Sequence, residues 1–175
     1  MELKYTIEQI KLTFSESDDL KCRSLNVAGT PCAFCFIDGG IDRELLEQSI
    51  IKPLKHAQSF EKPYKDSIEA IVSFSEDVQE IPVKSTPGVI AEGDIVMFVD
   101  GEDVGYMFSL RKPEKRAIGE PPSSSVLKGP REGFIEEIKT NLSLMRRRIK
   151  SPDLVVKTFQ VGRYSSNTVD RKSVV

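Results

Sequence analysis

Residues 32–40 read CAFCFIDGG, an unbroken apolar run that ends in Asp-Gly-Gly. A short run this rich in β-forming residues predicts a strand whose two faces are both covered. Residues 94–101 read DIVMFVDG, a second apolar run that also ends in Asp-Gly. The two runs therefore predict the central strands of one sheet, with helices packed on its faces. The shared ending could mark a duplicated unit. We favour the simpler interpretation, that Asp-Gly is a common way to leave a strand.

Asp38 and Asp100 follow the carboxyl ends of these two predicted strands. In open α/β sheets, ligands bind outside the carboxyl ends of the strands. The two carboxylates are therefore our candidates for a polar rim that binds a small ligand or a cation. The competing interpretation is that each carboxylate caps the backbone of its own turn.

The segments around the apolar runs have helical spacing. Residues 5–14 predict a short amphipathic helix, and Asp42 can cap a second helix that Pro53 should kink or stop. The expected apolar stripe of the second helix consists of Leu45, Leu46, Ile50 and Leu54. Further helices are predicted at residues 66–74 and from Thr86-Pro87 to about Gly93.

Two weaker strands complete the predicted sheet. Residues 78–83 contain Pro82, which favours an edge position because proline cannot donate a backbone hydrogen bond. Residues 104–110 return from the Asp-Gly turn as a hairpin partner of the second apolar strand. The fold class predicted from these segments is α/β, a mixed β-sheet flanked by helices.

Residues 113–128 contain three prolines and three consecutive serines, as expected for an exposed linker. A long helix should begin at Gly129-Pro130 and end before Pro152, followed by a β-like segment at residues 154–161. The apolar stripe of this helix consists of Phe134, Ile138, Leu142, Met145 and Ile149. We therefore divide the chain into a first α/β subdomain (1–112), a linker (113–129), and a long helix with the start of an incomplete second α/β subdomain (130–175).

Composition is that of a packed protein with no global preference for a charged partner. Hydrophobic residues make up 39% and charged residues 30% of the chain, and the net charge is -2. No apolar run approaches the roughly 18 residues of a membrane span. Taken alone, the chain is therefore expected to be cytosolic.

The chain offers little for catalysis or metal binding. It contains one histidine, His56, and three cysteines, Cys22, Cys32 and Cys35. A zinc site would need further ligands, and Cys32 and Cys35 should point to opposite faces of one strand. We expect the cysteines to be buried, reduced thiols and expect neither a cofactor, a metal nor enzymatic activity.

The triple arginine at residues 146–148 does not favour nucleic acid as a partner. Successive helix residues lie about 100° apart, so the three side chains cannot all face one surface. No interleaved aromatic residues are present for base stacking. We expect these arginines to pair with acids on different neighbours and to stabilise the helix end.

Several segments together resemble the amino-terminal region of the A subunit of GerA-type spore germinant receptors. They follow one another in the same order: Asp18-Asp19-Leu20, FIDGGID, Glu92-Gly93-Asp94 with IVMFVDG, Glu120-Pro121, GPREGF, Asn141, Arg146-Arg147-Arg148, Pro152, and Val161-Gly162-Arg163. The match spans roughly residues 14–169. A related stage V sporulation protein has the same architecture.

The resemblance implies a non-enzymatic role in receptor assembly and in signalling of germination. Its implied partners are the B and C receptor subunits, with a homo-oligomer and a small-molecule nutrient as further possibilities and no nucleic acid. It implies a soluble segment on the cytoplasmic (core) side of the spore inner membrane, within a larger receptor. The membrane-spanning bundle of that family is not found here, so we expect a fragment or a truncated relative. Direct binding of a nutrient or ion is the alternative function.

On this interpretation, charged residues of the linker and long helix form ion pairs between subdomains or subunits. The candidates are Glu120, Arg131, Glu132, Arg146, Arg147 and Arg148.

Overall fold

The central feature of the fold is a five-stranded sheet in the order β1-β2-β4-β5-β3. The computed structural model describes residues 2–72, 78–110, 138–161 and 167–174. The strands are β1 (Leu20–Val27), β2 (Thr30–Ile37), β3 (Gln79–Pro82), β4 (Ile95–Val99) and β5 (Val104–Phe108). The two apolar runs are β2 and β4, and they are neighbours near the middle of the sheet. The strand containing Pro82 is at an edge, as its missing donor predicts.

Every pairing in this sheet is antiparallel. In the pairing of β2 with β4, Cys32 lies opposite Val99 and Cys35 lies opposite Val96. The carboxyl ends of β2 and β4 are therefore at opposite ends of the sheet. This orientation decides where the two candidate aspartates lie.

Helices cover both faces, which confirms the predicted α/β class. The helices are α1 (Leu3–Thr13), α2 (Arg43–Leu46), α3 (Lys52–Lys55), α4 (Tyr64–Ile71), α5 (Thr86–Ala91) and α6 (Ile138–Arg148). One apolar cluster joins α1 and α5 to the face of the sheet that contains Ala33 and Val96. The other joins α2, α3 and α4 to the face that contains Phe34 and Met97. The alternation along β2 and β4 supplies both clusters at once, which is why these strands are apolar throughout.

The second helix differs from its prediction around Pro53. The carboxylate of Asp42 accepts hydrogen bonds from the amides of Glu44 and Leu45, so the predicted cap is present. A π-helical turn (Glu47–Ile51) follows α2, and α3 continues two residues beyond Pro53. A wider turn accommodates a proline that cannot donate its own hydrogen bond. Leu45 is 39% exposed, so its predicted place in the apolar stripe is wrong.

The C-terminal part of the chain forms a separate two-stranded antiparallel sheet. It pairs β6 (Leu154–Val161) with β7 (Asn167–Val174). The first strand was predicted from the sequence, whereas the second was not. The described part of the long helix, α6, ends at Arg148, four residues before Pro152. The linker 113–129 and the expected helix start at Gly129-Pro130 lie outside the described residues, as do Glu120, Arg131 and Glu132.

The cysteines correct one prediction and agree with another. Cys22 and Cys35 form a disulfide, so the expectation of three reduced thiols is wrong. The reason is that β1 was not recognised as a strand, and its register places Cys22 directly opposite Cys35. Cys32 is a buried free thiol on the other face of β2, as strand alternation requires. Its pKa is raised to about 12, first by burial and then by the charge of Asp100.

Candidate functional site

The first arginine of the triple arginine is a buried side chain that joins the C-terminal segment to the central domain. The guanidinium of Arg146 contacts the carboxylate of Asp19, with Nε 2.8 Å from Oδ2 and one terminal nitrogen 3.0 Å from Oδ1. Only 4% of the arginine side chain and 2% of the aspartate side chain are exposed. This is a two-point contact between a planar fork of donors and a carboxylate, the geometry that arginine makes and lysine cannot.

The remaining donors of Arg146 bind backbone oxygens just beyond its own helix. Its terminal nitrogens lie 2.9 Å from the carbonyl oxygen of Ser151 and 2.6 Å from that of Leu154. These bonds fix the turn between α6 and β6. The guanidinium also lies over the ring of Phe14, 6.0 Å from its centroid, which adds a favourable cation–π contact. A buried cation is tolerated here because its charge and most of its donors are satisfied.

The acceptor side of the site is the tight connection between α1 and β1. Ser15 and Glu16 have φ values of 48° and 52°, in the left-handed region. The hydroxyl of Ser17 donates to Oδ1 of Asp19 at 2.7 Å and accepts from the amide of Val156 at 2.8 Å. A hydroxyl has a single proton. The short bond to Asp19 uses it, so Ser17 orients the carboxylate and binds β6 at once.

The same connection extends along the open edge of β6. The amide of Asp18 donates to the carbonyl of Val156 at 2.9 Å, and the carboxylate of Asp18 accepts from the amide of Thr158 at 2.6 Å. Lys157 donates its ammonium to the carbonyl of Glu16 at 2.8 Å. Residues 16–19 thus supply side-chain and backbone partners where a neighbouring strand would otherwise be needed. We call this contact region, residues 16–19 with Arg146 and residues 151–158, the arginine junction.

Sequence reasoning named the three arginines together and did not distinguish them. Arg147 and Arg148 are exposed, and Arg147 donates to the hydroxyl of Ser143 at 3.4 Å. Arg146 alone is buried, four residues after the buried Leu142 and therefore on the same face of α6. That spacing was the sequence signal that could have distinguished Arg146 from the other two arginines. Asp19 belongs to one of the segments that resemble the receptor family, and nothing in the sequence pairs it with an arginine 127 residues away.

The two aspartates of the predicted ligand rim are not brought together. Asp38 lies beyond β2 and pairs with Arg43 at 2.5 Å. Asp100 lies at the other end of the sheet, where its carboxylate accepts a 2.8 Å hydrogen bond from the amide of Leu3. Asp100 therefore caps the start of α1, whereas the competing interpretation expected it to cap the backbone of its own turn. Binding of a ligand by either residue stays a prediction.

The arginine junction holds elements in position through groups that are already paired with one another. The buried polar side chains at its centre are an arginine, an aspartate already bound to it and a serine hydroxyl that donates a hydrogen bond to that aspartate. Within the described ranges, no cluster of three or more His, Cys, Asp or Glu side chains is arranged to hold a metal ion. In the same part of the chain, no helix has both the length and the apolar character needed to cross a bilayer.

Comparison with known proteins extends across nearly the whole chain. The family described as "Bacillus/Clostridium GerA spore germination protein" matches residues 8–170. The chain belongs to this family. The match includes both sides of the arginine junction, from Ser17 and Asp19 to β6.

Several known proteins are similar to the chain over nearly its whole length. "Spore germination protein KA" of Bacillus subtilis (strain 168) is 28% identical over 184 residues, which cover 95% of this chain and 32% of the relative. "Spore germination protein B1" of the same organism is 27% identical over 173 residues, covering 96% and 35%. "Uncharacterized membrane protein YfkQ", also from that organism, is 27% identical over 169 residues, covering 95% and 33%. The chain thus spans about a third of the length of these relatives.

One solved structure has the same fold. It is the N-terminal domain of the A subunit of the Bacillus megaterium spore germinant receptor GerK3, with a TM-score of 0.71 and 21% sequence identity. The similarity covers 99% of this chain and 64% of that domain. The predicted family and fold class are therefore both confirmed.

Proposed function

We propose that this chain is an N-terminal segment of a germinant-receptor A subunit and takes part in receptor assembly and in signalling of spore germination. The observation that carries the proposal is the family match over residues 8–170. The fold shared with the N-terminal domain of another A subunit supports it. The proposed role is mechanical, because the arginine junction fixes the positions of the elements that it joins.

The arginine junction is the element through which position would be relayed. It joins the α1–β1 connection of the central sheet to α6 and β6 through a desolvated ion pair and several backbone hydrogen bonds. A displacement of α6 would separate Arg146 from Asp19, at a cost of several kcal/mol for breaking a buried pair. The junction therefore favours two outcomes, attached or detached, over a gradual deformation.

Within this proposal, the partners are the B and C subunits of a germinant receptor and further copies of the A subunit. The setting is the inner membrane of the spore, with this segment on the core side. A relative named as a membrane protein supports a membrane setting for the full-length protein.

Complementation of spores that lack germinant receptors tests the function. The full-length gene containing this segment is returned to such a strain together with the genes for its candidate partner subunits. Nutrient-triggered loss of absorbance of the spore suspension should be restored, and the protein should co-purify with the partner subunits from the spore membrane. Spores that contain the full-length protein yet show neither restored germination nor co-purification would overturn the proposal.

Direct binding of a nutrient or ion near Asp38 or Asp100 is the alternative function. Titration calorimetry of the purified chain with amino acids, sugars and cations distinguishes the two. Saturable heat that is lost in Asp100→Asn but kept in Arg147→Ala would favour direct binding, whereas the assembly role expects no such heat. Turnover of any substrate by the purified chain would contradict the non-enzymatic role.

A further inference from the structure

Cys22 and Cys35 lie directly opposite each other on the first two strands of the sheet. Their Cα atoms are 4.3 Å apart. This is the spacing of an antiparallel pair without mutual backbone hydrogen bonds, in which the two side chains approach most closely. Because β1 is an edge strand, one member of the pair belongs to the rim of the sheet and the other to its interior.

The two sulfurs differ in access. Cys35 is 0% exposed within the cluster of α1 and α5, whereas Cys22 is only partly buried and packs against the border of that cluster. The third cysteine, Cys32, is 0% exposed and belongs to the cluster on the opposite face of the sheet. It can reach neither member of the pair, and burial also keeps its thiol protonated near neutral pH.

We propose that Cys22 and Cys35 form a reversible dithiol–disulfide pair that exchanges with small thiols and disulfides. Cys22 is the sulfur that forms the mixed disulfide with the small molecule. Cys35 acts as the buried resolving thiol, and Cys32 takes no part. Nothing about the pair requires a metal or a further protein, because a small disulfide supplies the oxidising equivalents.

The exchange balances in two steps. The thiolate of Cys22 attacks a small disulfide, forms a mixed disulfide with one half and releases the other half as a thiolate. The thiolate of Cys35 then attacks the Cys22 sulfur, closes the Cys22–Cys35 bond and releases the second small thiolate. The protein loses two protons and two electrons, and the small disulfide gains them. Reduction reverses the order, with the first attack on the accessible Cys22 sulfur.

The crosslink lies close to the acceptor side of the arginine junction. Asp19 comes three residues before Cys22, and its carbonyl accepts a 2.7 Å hydrogen bond from the amide of Asp38 at the end of β2. Leu20 lies opposite Ile37, between this hydrogen bond and the disulfide. Closing the disulfide therefore adds a second link between the start of β1 and β2. The oxidised protein should therefore hold Asp19, and with it β6, more firmly than the reduced protein.

The test uses the folded chain, fully reduced and then incubated with oxidised glutathione, with intact mass measured over time. The wild type and Cys32→Ser should each end two hydrogens lighter, whereas Cys35→Ser should stop with one glutathione attached. Cys22→Ser should gain nothing under native conditions, and all variants should react once unfolded in urea. A wild type that stays reduced, or a Cys22→Ser protein that takes up glutathione as fast as Cys35→Ser, would overturn the proposal.

Hydrogen exchange tests the link to the junction. The amides of Val156 and Thr158 should exchange several-fold more slowly in the oxidised wild type than in the reduced wild type, with no redox difference in Cys22→Ser. Equal exchange in both redox states would refute the link. Both measurements use the purified chain and do not depend on germination. The redox proposal and the receptor role can therefore be refuted independently of each other.

Discussion

Replacement of Arg146 by alanine should detach the C-terminal segment from the central domain. The change removes a cation that is 4% exposed and leaves the 2% exposed carboxylate of Asp19 without its counter-charge. Removing one member of a buried pair costs roughly 3–5 kcal/mol. The carbonyls of Ser151 and Leu154 also lose their donors, although water can reach them once the segment has moved. We therefore expect about 4 kcal/mol, close to the largest effects of single substitutions.

The assay must separate local detachment from global unfolding. Hydrogen exchange does so, because the amides of Asp18, Val156 and Thr158 each donate across the junction. In Arg146→Ala these amides should lose protection by a factor on the order of 100–1,000, since about 1.4 kcal/mol corresponds to tenfold, while amides of β2 and β4 change little.

Three further variants serve as controls. Arg147→Ala removes an exposed arginine and should cost less than about 0.5 kcal/mol. Arg146→Lys keeps the charge but loses the two-point contact, so its effect should be intermediate. The double variant Arg146→Ala with Asp19→Ala should be less destabilised than the sum of the single variants, because no charge is left buried alone. If Arg146→Ala and Arg147→Ala behave alike, the junction does not hold the segment in place.

Gly105→Ala should cost about 1–3 kcal/mol in urea unfolding, because an added Cβ would lie 2.6 Å from Cγ1 of Val96; Gly88→Ala, with no atom within 4 Å, is the control and should be neutral or slightly stabilising. Asp100→Ala should cost about 1 kcal/mol by removing the acceptor at the start of α1, whereas Asp100→Asn, which keeps an oxygen there, should cost less, and equal losses would contradict the capping role. The pKa of Cys32 is about 12 in the fold and near 9.0 when exposed. Above pH 9 the thiol loses its proton in the unfolded chain but keeps it in the fold, so the stabilisation that is complete below pH 9 decreases toward pH 12. The free energy of unfolding of the wild type should therefore fall more than that of Cys32→Ala between pH 8 and pH 11.

The parts of the fold that were predicted correctly are those whose signal is local. Two apolar runs gave β2 and β4, helical spacing gave α1 and α4, and Pro82 gave an edge strand. In each case the residues that reveal the element also form its packing. Asp42 is a similar case, since its carboxylate caps the helix that begins one residue later.

The direction and pairing of the strands could not be predicted from local sequence patterns. β1 reads LKCRSLNV and β7 reads NTVDRKSV. Half of the residues of β1 and most of those of β7 are polar, and β1 has an open edge, so neither shows the continuous apolar run of a covered strand. Without β1 there was no register to place Cys22 opposite Cys35. Without the antiparallel direction of β4, Asp38 and Asp100 were expected at one edge of the sheet.

The arginine junction explains why sequence alone named the right segment and an incomplete set of residues. A run of three arginines at a helix end is accounted for by the helix dipole and by solvation, and two of the three are indeed exposed. The spacing from Leu142 indicates which face of the helix holds Arg146, but only tertiary structure shows its partner, a loop aspartate 127 residues earlier that Ser17 orients. A buried charge is costly unless its partner is present. The position of α6 and that of the α1–β1 connection therefore depend on each other. For a GerA-family protein whose proposed role is to relay position, such a dependence is the physical property that the role requires.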